Sequence, residues 1–523
     1  MKSSTLRSFI AVHTWVGLIA GFFLFIAFYA GAITVFNKQL HVWETRSATK
    51  ETPQSLAQAQ PLIDAVLAAH PQAADGFYLK LPNEYEARLE LGWDERRADG
   101  REIEHHFRLD DDGRLLDVKP VSELSHFLLR LHYTAGLPTQ LGTYLLGLVC
   151  VLYGLALVSG VVIYAPSFFK DLFALRIGKN LKRLWQDAHN AIGILSLPFH
   201  IMFAWSSAIL TLGLLLMAPF QFLVFDGKLL NLVQPDIFIS KPVAAAGVKA
   251  PLLPVQDLLD IAVRQVPGMQ MTYLRYKHAG DAHGVVEVYG DVAQRTLTGN
   301  AAVVLGTSDG KVERVLAPSG FSPGTMFLRG LTSLHYGDFG HAAVLWMYFV
   351  LGMAGAFLFY SGNLLWIESR RKHRLREQPR NTRWMAQGTL GICLGCVAGI
   401  AALFLVNKLA PAGPDGWAAW EERTYYAVFF ASIVWAFMRP PARAAHELLM
   451  LCSVLSLLLP FAQWYAGGVN PLLSAWRGET VIVVVDLMAL LFAWIYWSMA
   501  RAVLRRGLHG DPHSVWSLQA LPG

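Results

Sequence analysis

Eight stretches of this chain are apolar for long enough to bear on a lipid bilayer: residues 8–36, 141–164, 191–216, 342–367, 386–406, 424–438, 447–465 and 481–499. A helix needs about 20 mostly uncharged residues to cross a hydrocarbon layer about 30 Å thick. The 523 residues are 54% apolar and only 16% charged, and mean hydropathy is positive. The prediction is a polytopic α-helical membrane protein with about eight transmembrane helices. Lys2 and Arg7, the runs 170–183 and 370–383, Arg439 and Arg443, and the run 501–506 all fall on one side. By the positive-inside rule that side is cytoplasmic. Both termini are expected there, with the first span kept as an anchor because it is too long for a signal-peptide core. These loops account for the net charge of +6, which calls for no nucleic acid as a partner.

The first two-thirds of the chain is also written twice. Leu131-His132-Tyr133 precedes an apolar run closing on Ser159-Gly160, and Leu334-His335-Tyr336 precedes one closing on Ser361-Gly362. His13 has Gly17 at +4 and Gly31-Ala32-Ile33 from +18, while His189 has Gly193 at +4 and Ser207-Ala208-Ile209 from +18. Each copy reads span, polar insert, span, so the repeats run parallel and are related by an axis along the membrane normal. Equivalent residues are then expected at equal depth, His13 with His189 near the cytoplasmic face and His132 with His335 near the periplasmic one.

The expected order is a span in 1–36, a polar module over 37–130, a span at 131–165, a cytoplasmic loop at 166–190, a span at 191–218 and a second polar module over 219–330. A span at 331–367, a basic cytoplasmic loop at 368–385, a four-helix membrane region over 386–500 and a cytoplasmic tail at 501–523 complete it. In each insert a helical periodicity gives way to strand-like alternation. A helix over 55–70 precedes strands at 77–81, 87–93, 102–109 and 114–118, and a helix over 254–266 precedes strands at 269–277, 285–289, 301–305 and 311–315. Asp112-Gly113 and Asp309-Gly310 mark hairpin turns. Each insert is expected to be one small periplasmic α+β module.

Histidine within a membrane span is costly and usually faces a bundle interior, where it pairs, relays protons or binds metal. Neutral imidazole is a common haem-iron ligand, and two of them leave no open position on the iron, which suits electron transfer. The four duplicated histidines are therefore read as ligands of two haems, His13 with His189 and His132 with His335. Gly17 and Gly193, one turn on, are placed to admit a flat ring. Neither Cys nor Asp or Glu accompanies the histidines at the spacing of a zinc or copper site. The sequence has no Cys-x-x-Cys-His, so the haem would be held non-covalently, as haem b. One haem near each face is the minimum arrangement for passing single electrons across a membrane.

Other residues leave alternatives open. His200 lies 11 residues beyond His189, where the first copy has Leu24; it reads either as a hydrogen-bonded packing residue or as a ligand of a third haem. His126 and His341 flank the Leu-His-Tyr motifs as rim, propionate or substrate contacts. Arg130 and Arg329 stand just before those motifs, where a guanidinium either pairs with a haem propionate or is an ordinary juxtamembrane charge. His105 and His106 read as solvated or half-buried strand residues, and His446 as a helix-start residue. Cys150, Cys393, Cys396 and Cys452 all lie in apolar runs, which gives no disulfide framework. Cys393 and Cys396 have redox-motif spacing but read as small residues at a helix contact.

His13-Thr-Trp-Val-Gly17, Leu131-His132, Trp185-Gln-Asp-Ala-His189-Asn-Ala-Ile-Gly193, Leu334-His335 and the two α+β inserts resemble the PepSY-associated transmembrane family. Within it the likeness is to inner-membrane ferric-siderophore reductases, over roughly residues 1–370. The resemblance implies a bacterial inner-membrane location, a four-helix core with two b-type haems, periplasmic PepSY-like modules, and one-electron reduction of Fe(III) in an imported siderophore. It assigns His13 and His189 to the cytoplasmic-side haem and His132 and His335 to the periplasmic one. The extra C-terminal helices depart from the four-span pattern and leave open whether partners and donor are shared. The chain has no Gly-rich dinucleotide fingerprint after a strand, so the expected donor is a separate cytoplasmic reductase or a quinol. Periplasmic siderophore-handling proteins are further candidate partners. Two other functions fit the same residues: a haem electron-transfer subunit serving a periplasmic enzyme, and a non-enzymatic PepSY-type regulator or sensor.

Overall fold

The computed structural model describes residues 3–45, 53–83, 85–96, 102–118, 122–168, 176, 180–292, 297–372, 374–375, 377–411, 417–467 and 470–519. Most of the basic run at 170–183, Lys170 included, lies outside the described residues. Two compact units emerge, one made of Met1–Ala48, Val121–Gly213 and Trp346–Gly523, the other of Thr49–Pro120 and Leu214–Leu345.

The first unit is helical. The apolar run at the N-terminus forms α1 (Ser3–Thr34), followed by α2 (Asn37–Glu44). Past the first insert come α4 (Leu124–Thr134) and α5 (Thr139–Tyr164), then α6 (Leu181–Leu195) and α7 (Leu197–Leu223). After α11 (Ala342–Ser369) the chain continues through α12 (Arg380–Leu409), α13 (Ala418–Met438), α14 (Pro441–Gly467), α15 (Pro471–Trp476) and α16 (Thr480–His509). Small residues set the packing. Gly391, Gly395 and Gly399 of α12 form a stripe so close to α13 that a Cβ would meet Ile433 Cα at 2.9 Å, Phe429 O at 3.1 Å and Tyr425 at 2.9 Å. Cys393 and Cys396, between these glycines, are fully buried in the core of this bundle.

Two expectations change. Among the described residues seven helices, not eight, are long and apolar enough to cross a membrane. The sixth run is a helix, α13, but Glu421, Glu422 and Arg423 occupy its first two turns. Its apolar part is left shorter than the ~20 residues a crossing needs. The Leu-His-Tyr motifs, moreover, do not open spans. Each closes a short helix of its own, His132 in the last turn of α4 and His335 in the last turn of α10 (Pro323–Tyr336). Ala135 at φ 52° and Gly337 at φ 69° then turn the chain in the left-handed region, their N–H groups capping Leu131 O and Ser333 O. That reversal lets the following span start afresh.

In the second unit, each insert contributes four strands and at least one helix. The first gives α3 (Ala59–Ala69) with β1 (Gly76–Lys80), β2 (Glu90–Arg96), β3 (Glu102–Leu109) and β4 (Leu115–Asp117). The second gives α8 (Leu229–Ile237), α9 (Val255–Gln265) and β5 (Gln270–Lys277), β6 (Val285–Asp291), β7 (Asn300–Gly306) and β8 (Val312–Leu316). The inserts are not two separate modules. β1 pairs antiparallel with β5, Tyr78 opposite Arg275, and the eight strands form one sheet ordered β4-β3-β2-β1-β5-β6-β7-β8. Joining covers the β1 and β5 edges that isolated modules would expose, and α3 and α9 bury Leu62, Ile63, Val66, Leu258, Leu259 and Ala262 in one shared core.

Candidate functional site

Three of the four repeat histidines belong to the helical unit, and each is held from behind in the same way. His13 of α1 points Nδ1 at the carbonyl of Ala156 on α5, at 2.9 Å, with Ser159 Oγ at 3.3 Å. His189 of α6 points Nδ1 at the carbonyl of Leu358 on α11, at 3.1 Å, with Ser361 Oγ at 3.4 Å. His132 of α4 points Nδ1 at the carbonyl of Ala27 on α1, at 2.7 Å. A carbonyl only accepts, so each Nδ1 carries the proton, and in His13 and His189 the Nε2 lone pair is directed to the other side of the ring.

Glycines make room for these rings. A Cβ on Gly160 would lie 3.0 Å from His13 Cε1, one on Gly362 3.2 Å from His189 Cε1, and one on Gly31 2.5 Å from His132 Nδ1. Ser159-Gly160 and Ser361-Gly362, visible in the sequence only as the ends of two matching runs, are thus the backs of the His13 and His189 sites. The supporting carbonyls of Ala156, Leu358 and Ala27 carry no sequence signal, because any residue supplies one.

His13 and His189 meet. Their ring centres are 6.2 Å apart and the planes cross at 78°. Gly17 has no protein atom within 4 Å of where a Cβ would stand, and Gly193 has only Leu358 Cδ1, at 3.6 Å. Just before His189, Asp187 is buried and receives hydrogen bonds from Arg176 N, Nε and Nη2 at 2.9, 2.8 and 2.6 Å. Those bonds hold its carboxyl below the usual range and pin the start of the histidine helix.

The remaining candidates fall elsewhere. His335 belongs to the second unit, its ring 5.6 Å from that of Tyr336. His200 is fully buried with both nitrogens engaged, Nδ1 by Tyr153 OH at 2.5 Å and Nε2 by Ser196 Oγ at 3.0 Å. Ser196 donates its own proton to Ile192 O. The order is therefore Tyr153 O–H to Nδ1, and Nε2–H to Ser196, which leaves no lone pair for a metal. Arg130 is paired with Glu422 at 2.8 Å and lies over the Phe127 ring. Arg329 is half-buried and acts electrostatically on Tyr273 of β5. His126 and His341 are exposed. His105 and His106 pair with Glu95 and Glu90 on β2, and His446 with Ala500 O.

No group of three or more His, Cys, Asp or Glu side chains arranged around a metal occurs among the described residues. What the geometry brings together is a facing pair of imidazoles.

An uncharacterised protein of Pseudomonas aeruginosa, PA4219, is 26% identical to this chain over 415 residues, covering 74% of this chain and 98% of that protein. The PepSY-associated TM region matches residues 10–369, which takes in both histidine repeats and stops at the end of α11. The chain therefore belongs to the PepSY-associated TM region family.

Proposed function

We propose that this protein is a di-haem membrane reductase that carries single electrons from the cytoplasmic to the periplasmic side of the bacterial inner membrane. There they reduce Fe(III) in an imported siderophore and release Fe(II). What carries the reading is the His13–His189 pair. Two imidazoles on opposite faces of one metal, with metal–nitrogen bonds of about 2.0 Å, have ring centres about 6 Å apart; these stand at 6.2 Å. The residues fit haem for two further reasons: a porphyrin supplies four of the six iron ligands, so two protein ligands suffice, and the space beside Gly17 is free of protein atoms.

Bound there, haem b supplies a reversible one-electron couple. The chain's own residues do the rest. The Ala156 and Leu358 carbonyls fix the tautomer and raise the basicity of His13 and His189, as outer-shell acceptors do for metal-bound imidazole. Ser159 and Ser361 add a second acceptor, and Gly160 and Gly362 put no side chain between their helices and the two rings. His132 is likewise backed by a carbonyl, that of Ala27, and by a glycine, Gly31. His132 and His335 each keep the ligand role the repeat implies. Hard oxygen donors hold Fe(III) far more tightly than Fe(II), so one added electron loosens the metal without chemistry on the chelator, and no general base or nucleophile is required.

The test is the absorption spectrum of detergent-purified protein before and after dithionite. A reduced b-type spectrum is expected, with about half the haem lost in each of His13→Ala, His189→Ala, His132→Ala and His335→Ala. A ferric siderophore added to the reduced protein, freed of dithionite, should reoxidise it with one Fe(II) formed per electron. Colourless protein from haem-replete cells refutes the reading. Haem that a ferric siderophore does not reoxidise favours the electron-transfer subunit instead.

A further inference from the structure

Away from the histidines, the helical unit buries a second set of ionisable side chains, where α12, α14, α16 and α2 come together. Lys408, at the end of α12, is 2% exposed; its Nζ donates to Trp43 O of α2 and stands 3.5 Å from the centre of the Trp43 ring. Asp486, seven residues into α16, is 3% exposed, and neither of its carboxyl oxygens receives a hydrogen bond. Lys408 is within Coulombic reach of it.

The neighbouring helix offers acceptors, and none of its described donors reaches Asp486. Ser453 Oγ of α14 donates to Ala493 O of α16 at 2.8 Å, and His446 Nδ1 bonds Ala500 O at 3.1 Å. That antiparallel register sets position 460 opposite 486. Residue 460 is a proline inside α14, which leaves the carbonyl of Ser456 without its helical donor. Gln463, one turn on, has a buried Oε1 with no partner. An ionised carboxylate buried without one hydrogen bond is among the costliest arrangements in a protein, and more so within a membrane span. A proton on Asp486 removes the charge and supplies the missing donor.

We propose that Asp486 is a proton-exchange site of the C-terminal bundle, with Lys408 as the positioning charge that sets how readily the proton leaves. The step is acid–base only: a proton from water forms an O–H bond on Asp486 and returns to water on release. The ionisable groups toward this end of the packed elements include Lys38, His41 and Glu44 of α2, Arg477 and Glu479 ahead of α16, and Cys452 and Tyr465 of α14. Glu44 is committed to His41 and to Ser125 N and Oγ, and Lys408 is the charge that acts on Asp486. The site does not rest on the haem reading.

Infrared spectroscopy of the full purified chain during a pH titration tests it, read at the C=O stretch of protonated carboxyl groups. One buried carboxyl band should rise on acidification, be missing from Asp486→Asn, and move in frequency in Asp486→Glu. Lys408→Met should shift its midpoint upward by about 1 pH unit or more, because a nearby ammonium favours the carboxylate. Asp486→Glu keeps the proposal testable if the Asn variant does not fold. A band indifferent to both Asp486 substitutions overturns the proposal, as does a buried carboxyl that never titrates. So does a band that sodium, replacing choline at constant pH, abolishes, since the site would then be a metal-cation site.

Discussion

Gly31→Ala should do more damage than the same change at Gly160 or Gly362, the glycines behind His13 and His189. The new Cβ would lie 2.5 Å from His132 Nδ1 and 2.7 Å from Cε1, where ordinary contact starts at 3.4 Å. The imidazole must retreat from α1 by nearly an ångström. Ala27, whose carbonyl now holds Nδ1 at 2.7 Å, lies one turn back on the same helix, so the retreat stretches that bond past about 3.5 Å, where it ceases to be one. Losing a buried hydrogen bond costs about 1–3 kcal/mol, and overpacking costs about 1–3 kcal/mol more. Alanine returns about 1 kcal/mol of helix propensity, for a net loss of about 3 kcal/mol. Gly160→Ala, at 3.0 Å from His13 Cε1, should be near neutral, and Gly154→Ala, with nothing within 4 Å, should be slightly stabilising. Thermal unfolding in detergent followed by tryptophan fluorescence gives the order. If Gly31→Ala melts with Gly154→Ala, the clasp on His132 is not a structural constraint.

Gly17→Ala separates the fold from the cofactor: no protein atom lies within 4 Å of the new methyl, so stability should hold while reduced-haem absorbance falls. Equal haem in the variant means the ring does not lie beside Gly17. The Glu90–His106 pair on β2 and β3 should give the sheet a pH window. His106 is held above its ordinary 6.5, first by its hydrogen bond to Glu90; Glu90, although burial raises it, is held below the usual carboxylate range by His106, Lys80 and Arg108. Stability from His106 is present below pH 6.5 and drains as pH rises through its raised value, and that from Glu90 is present above pH 4.5 and drains as pH falls. Hydrogen-exchange protection of β2 and β3 in the full chain, taken relative to the intrinsic rate at each pH, should be greatest between those limits, and Glu90→Gln should flatten the profile; an unchanged profile refutes the linkage.

Much of this was legible in the residues because it is local or repeated. β3 fills 102–109, the run that alternation marks as a strand, and the matched His-to-Ser-Gly spacings mark the repeat, though not that Ser159 would back His13 and Ser361 His189. What was not legible depends on distant partners. Nothing near 76–80 announces that it will pair with 273–277 rather than stay an edge. The helix ends at Ala135 and Gly337 were written in Gly136, Pro138 and Gly337, but the apolar residues after them made one long span the simpler reading. Lys408 sits where a lysine would snorkel to the interface, yet α2 folds over it, and a span-end charge becomes a buried one.

The two copies differ most informatively at His200, since the equivalent Leu24 is buried among Val149, Tyr153 and Ala204. Tyr153, in the first copy, donates to His200 in the second, so the substitution that broke the symmetry also created a polar link between the repeats. If that link is the whole role of His200, restoring symmetry should be harmless only when both partners change. Tyr153→Phe leaves Nδ1 without a donor and His200→Leu leaves a buried hydroxyl unpaired, each at about 1–3 kcal/mol. The double variant removes both groups and should recover most of that loss, a coupling that a double-mutant cycle measures directly. Haem content should be unchanged throughout, because neither ring nitrogen is free. Additive losses would dissolve the link, and loss of haem in His200→Leu alone would make His200 a ligand after all.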